Sequence, residues 1–133
     1  MSEPAWLDLT RVLADTGVFI HWCRGDPWAR LFFQRLNVEI YYTRVTRKEL
    51  LHPPISDAER QRILGLLALL RLINPEEPIP TAYADLLTRY PYLQAHLHDA
   101  LIAASAWVKN LPLVTTNVRH FQPIQEIQVV PFP

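Results

Sequence analysis

Four polar residues interrupt apolar runs in ways that could do chemistry. In "VLADTGVFI" Asp15 stands between two stretches that read as core. "TRKELL" carries Glu49, "HDALIAASA" carries Asp99, and "LVTTNVRHF" carries Asn117 two residues after Thr115. An ionised carboxylate beside a core is costly unless it is paired, hydrogen-bonded or holding a metal. Carboxylates brought together repel one another and invite a hard cation with oxygen ligands, Mg²⁺ or Mn²⁺. Zinc is not expected, because the five histidines and the single cysteine, Cys23, lie scattered without ligand spacing. Each residue also has a structural reading. Asp15 fits an N-cap, Thr46 and Glu49 fit a capping box, and Asn117 fits an Asx-turn. Asp99 is harder to place so, because it shares a helical face with Ile102, Ala103 and Ala106 and needs a partner there.

The elements that must position these residues alternate between strand and helix. Residues 11–15 read as a buried strand. In "DPWARLFFQRL" Asp26 is the N-cap and Pro27 the first helical residue. "VEIYYT", residues 38–43, is a second strand. "TRKELL" starts a short helix that stops before Pro53 and Pro54. "SDAERQRILGLLALLRL" reads as one long helix opened by Ser56 and Glu59. A short strand at "LINP", a helix at "TAYADLLTRY", a helix over residues 93–109 and strands at "PLVTT" and "IQVVPF" complete the chain. Strands separated by helices imply parallel crossovers, hence a three-layer α/β/α sandwich around a short parallel sheet. In such folds ligands bind beyond the carboxyl ends of the strands, near the point where strand order reverses. Asp15 and Asn117 follow strands, Glu49 follows one by a few residues, and Asp99 begins a crossover helix. All four are therefore expected on one rim.

Composition limits the alternatives. The 133 residues suit a single domain, residues 1–133, with half of them hydrophobic. One cysteine excludes an internal disulfide framework and fits a reducing cytoplasm. No apolar run reaches a membrane span, and "MSEPAWLDL" is not read as a signal peptide. The 13 basic and 13 acidic residues cancel, so any nucleic-acid surface must be local.

The same segments, in this order, resemble a PIN domain, and the length and layout resemble the stand-alone ribonuclease toxins of VapBC-type toxin–antitoxin pairs. "ADTGVFI" resembles the opening Asp-Thr segment, "TRKEL" the segment with the family's glutamate, "HDALIAASA" its central Asp helix, and "LVTTNVRHF" its last strand and loop. The resemblance implies a metal-dependent endoribonuclease, neutralised by a small antitoxin protein. It places Asp15, Glu49, Asp99 and Asn117 on the acidic metal site and Thr115 as a supporting hydroxyl. Asp15 and Asp99 would be principal ligands of Mg²⁺ or Mn²⁺, Glu49 a ligand or base for the attacking water, and Asn117 the holder of a ligand water or one metal. The chain departs from the family where Asn117 replaces a frequent Asp, where His120 occupies a place at which an acid is common, and where His96 stands for a basic residue. Site charge is then about −3, which suits one metal better than two. Arg47 and Arg119, with Arg44 and Lys48, are candidates for substrate phosphate, or a solvated face.

Two other readings are carried forward. One is a catalytically inactive PIN-like module that binds RNA or protein. The other is a receiver-type phosphoacceptor, which needs a lysine at the last strand where "IQVVPFP" has none. The leucine-rich helix from Ser56 and the helix "WARLFFQRL" carry more apolar residues than one sheet face can bury. Their surplus is expected to form a groove for a partner helix or part of a homodimer.

Overall fold

The computed structural model describes residues 3–133. Five parallel strands form one sheet in the order β3-β2-β1-β4-β5. They are β1 (Arg11–Ala14), β2 (Glu39–Thr43), β3 (Arg71–Ile73), β4 (Leu113–Thr115) and β5 (Val129–Pro131). Between them run α1 (Thr16–Cys23), α2 (Pro27–Gln34), α3 (Arg44–Leu51), α4 (Asp57–Leu67), α5 (Ile79–Arg89), α6 (Leu97–Lys109) and α7 (Val118–Phe121). Strand order runs outward from β1 to β2 and β3 on one side and from β4 to β5 on the other. The reversal therefore lies between β1 and β4.

Alternation along the strands creates two cores. Val12 and Ala14 face one side of the sheet and pack in a cluster with Val18 and Phe19 of α1, Phe32 of α2, and Ile63, Leu66 and Leu67 of α4. Leu13 and Leu113 face the other side, among Leu86 of α5 and Ile102, Ala103 and Ala106 of α6. The small residues on α6 let that helix lie close to the sheet. This is the three-layer α/β arrangement expected from the pattern. No helix among the described residues is long and apolar enough to cross a membrane.

Three expectations are corrected. The helix beginning at Asp57 stops at Leu67 rather than running to Leu72, because Arg71, Leu72 and Ile73 pair with Tyr41, Tyr42 and Thr43 of β2. An apolar run broken only by Arg71 carries no period that separates helix from strand. Most of the surplus assigned to α4 is thereby absorbed, since Ile63, Leu66 and Leu67 are core. The helix expected over residues 93–109 is two elements, a 3₁₀ turn at Pro91–Ala95 and α6 from Leu97, with His96 at the joint. The cap of α3 is Thr43, whose Oγ1 accepts from the Thr46 N–H at 3.3 Å. Thr46 lies inside the helix, so the capping box does not form.

Candidate functional site

Asp15 follows β1 directly and caps α1, its Oδ1 accepting from the Thr16 N–H at 2.8 Å. The cap reading is therefore correct for one oxygen. The other, Oδ2, accepts from the Thr115 hydroxyl at 2.7 Å, across the β1–β4 junction. The Thr115 hydroxyl in turn accepts from the Asn117 N–H at 2.9 Å. Gly17 lets α1 approach the residue after β4 closely, since a Cβ there would fall 2.1 Å from Thr116 Oγ1 and that side chain would have to shift.

A second relay ends on Glu49. Thr16 Oγ1 donates to Glu49 Oε1 at 2.8 Å, and so must accept the bond of 2.8 Å that joins it to Thr46 Oγ1. The spacing of Thr46 and Glu49 puts both on the inner face of α3, with Leu50 beside them in the core. Both relays run from hydroxyl to carboxylate, and each fixes one oxygen of its acid. Glu49 Oε2 is left facing His98 Nδ1 at 3.5 Å.

Asp99, in the first turn of α6, meets His120 of α7, with 2.8 Å between Oδ2 and Nδ1. The same ring nitrogen lies 2.7 Å from Asn117 Nδ2. Asn117 begins α7 without a side-chain cap bond, so its amide is spent on His120 rather than on a cap. The structure thus brings Asp15, Glu49, Asp99 and Asn117 together at one rim, with Thr115 bonded to Asp15. Arg47 is exposed on the outer face of α3, and Arg119 is exposed on α7.

Electrostatics tie the acids together. The Asp15 carboxyl is pushed above its ordinary value, chiefly by burial and further by the charges of Asp99 and Glu49. Hydrogen bonds from Thr115 and from the Thr16 backbone oppose the shift without cancelling it. A buried acid raised by two like charges is relieved by a cation set among them. The oxygen donors on offer suit a hard one.

Sequence reading missed the hydroxyl relay of Thr16 and Thr46, and it named His96 and His120 only as departures from the family pattern. Thr46 was legible as the residue one turn before Glu49, but was assigned to the cap. Two of the five imidazoles come together in space: His96, Asp99 and His120 each offer a ligand atom within 4.8 Å of the other two, a grouping their spacing in the sequence does not show. The sequence separates His120 from the His96–Asp99 pair by a helix and a strand.

The PIN domain family model matches residues 12–126. Ribonuclease VapC10 of Mycobacterium tuberculosis is 33% identical over 121 residues, which cover 88% of this chain and 90% of that protein. Among solved structures, a toxin–antitoxin complex from Klebsiella pneumoniae superposes with a TM-score of 0.75 at 25% identity, covering 90% of this chain and 95% of that one. The DNA-bound VapBC of Salmonella typhimurium gives a TM-score of 0.77 at 19% identity, covering 92% and 98%. The second of these likenesses concerns the fold alone.

Proposed function

The chain belongs to the PIN-domain family, and from that premise we propose that it is a metal-dependent endoribonuclease, the toxin of a toxin–antitoxin pair, acting in the cytoplasm on RNA phosphodiester bonds. The observation that carries the reading is Asp15, a buried carboxylate aimed by two donors and pressed by the charges of Asp99 and Glu49. Asp15, Asp99 and Glu49, with Asn117, would hold Mg²⁺ or Mn²⁺. A bound cation of this kind activates water and neutralises charge on the scissile phosphate.

The protein's own groups supply orientation. Thr115 and the Thr16 N–H hold both Asp15 oxygens in place. Thr16 holds one Glu49 oxygen and leaves Oε2 to take a proton from the attacking water. Asn117, neutral, orients water without adding charge. The relative named a ribonuclease and the neighbours described as toxin–antitoxin complexes support both the activity and a small protein partner.

The test is cleavage of RNA by chelator-treated protein with and without added Mn²⁺. Loss of cleavage in EDTA and its return with Mn²⁺ are expected. Asp15→Asn should remove most turnover while the circular-dichroism spectrum stays native. Cleavage that survives excess chelator overturns the mechanism. RNA binding without any cleavage would favour the inactive module.

A further inference from the structure

His96, Asp99 and His120 differ from the acidic set in chemistry. Two imidazoles and one carboxylate make a borderline donor set, which suits Zn²⁺ and its neighbours in the transition series rather than Mg²⁺. The spacing His96-x-x-Asp99 puts two donors one turn apart at the start of α6. α7 brings the third, with the His96 and His120 rings 4.4 Å apart between centroids. His96 caps nothing with its side chain and is exposed, so an ion can enter from solvent.

His120 Nδ1 lies 2.8 Å from an Asp99 oxygen and 2.7 Å from the side-chain amide of Asn117, so the imidazole is already held against Asp99. A metal replacing the shared proton needs bonds of about 2.0–2.1 Å to nitrogen and oxygen, hence roughly 3.3 Å between them at a tetrahedral angle. The existing pair opens by about half an ångström to accept it. The Asn117 amide then moves off the ring nitrogen. The Tyr92 hydroxyl, bonded to the His120 carbonyl, keeps the α7 segment in register.

We propose that His96, Asp99 and His120 form a Zn²⁺ site that, when filled, withdraws Asp99 from the acidic site and stops the nuclease. The binding half stands on this geometry alone, and the inhibitory half rests on the ribonuclease reading above. Three protein ligands leave a fourth position for water, as in open zinc sites. Zinc also binds such donors more tightly than manganese, so it wins Asp99 in competition.

The experiment titrates Zn²⁺ into chelator-stripped full-length protein in competition with a metallochromic indicator, and repeats it with His96→Ala, His120→Ala and Asp15→Asn. One Zn²⁺ per chain is expected. Each histidine variant should weaken it by about tenfold or more, while Asp15→Asn leaves it unchanged. Co²⁺ should give the strong visible bands of a tetrahedral nitrogen-ligated ion, lost in His96→Ala. In the Mn²⁺-supported assay Zn²⁺ should inhibit the native protein, and His96→Ala should resist Zn²⁺ with its basal rate intact. Affinity that falls with Asp15→Asn but not with His96→Ala places the ion among the carboxylates and overturns the site. Equal affinity in every variant overturns it as well. If no variant cleaves RNA under any metal, the nuclease reading fails, while the titration still decides the site.

Discussion

Asp15 pays for its position in the metal-free protein. Its carboxyl is raised by burial, Asp99 and Glu49, so the folded state holds the proton more tightly than the unfolded chain does. The stability this contributes is full below the ordinary carboxylate value of 3.8 and is lost as pH rises through the higher folded value. Asp15→Asn removes the titration but leaves the Thr115 hydroxyl without its carboxylate acceptor, a cost of about 1 kcal/mol that does not depend on pH. The two effects therefore separate. In chelator, the variant's melting temperature relative to the native protein should climb as pH rises from the ordinary carboxylate value of 3.8 through the higher folded value, and Mn²⁺ should reverse the trend by stabilising only the native site. Parallel profiles for both proteins would show that Asp15 is a cap and nothing more. Its place after a strand was legible in the sequence, because an acid between two apolar runs has few harmless explanations. The donors were less so. Thr16 and Thr46 look like any threonine near a helix start, and only the packing of α1 against α3 shows that their hydroxyls form one line toward Glu49.

At the scale of elements, periodicity decided most of what could be read. The strands are short, the central β1 and β4 are buried on both faces, and their apolar runs stood out against the polar helix starts. Reading failed where one apolar run served two elements, as from Ile63 to Ile73, and where two threonines three apart competed for one cap, Thr43 and Thr46. The amphipathic α2 shows what its apolar surplus leaves over. Asp26 caps it and Ala29 and Phe32 are core, yet Trp28 stays 38% and Leu31 43% exposed, with Ile20 of α1 at 38%. Exposed apolar side chains on adjoining helices make a surface for a partner helix or a second copy. In the absence of a partner, light scattering should show concentration-dependent dimers. Leu31→Glu should give monomers with a change in stability within about 0.5 kcal/mol, the range of a surface substitution. A native chain that remains a monodisperse monomer at high concentration rules the dimer out.

The whole molecule has no net charge to steer RNA, since 13 basic and 13 acidic residues cancel. Attraction to phosphate must come from a local field. The outer face of α3 supplies one. Arg44, Arg47 and Lys48 line a groove of about 560 Å³ with Leu51 and His52, while Glu49 on the same helix turns inward to the rim. Arg44 is partly committed, donating through Nε to Asn74 Oδ1 at 3.0 Å. Arg47, exposed and one turn further along, is the better test. If the groove carries the RNA strand toward the rim, Arg47→Ala removes one phosphate contact and leaves the reacting groups untouched. KM should rise several-fold at low salt with kcat unchanged. The slope of log KM against log salt concentration should fall by about 0.7, the value for one phosphate of a single strand. The difference between the two proteins should then shrink as salt rises, because the counterions released by each contact matter less. A fall in kcat at constant KM would instead put Arg47 at the scissile phosphate. Identical salt profiles would make the groove a solvated face, and RNA would have to reach Asp15 and Glu49 from the Arg119 side.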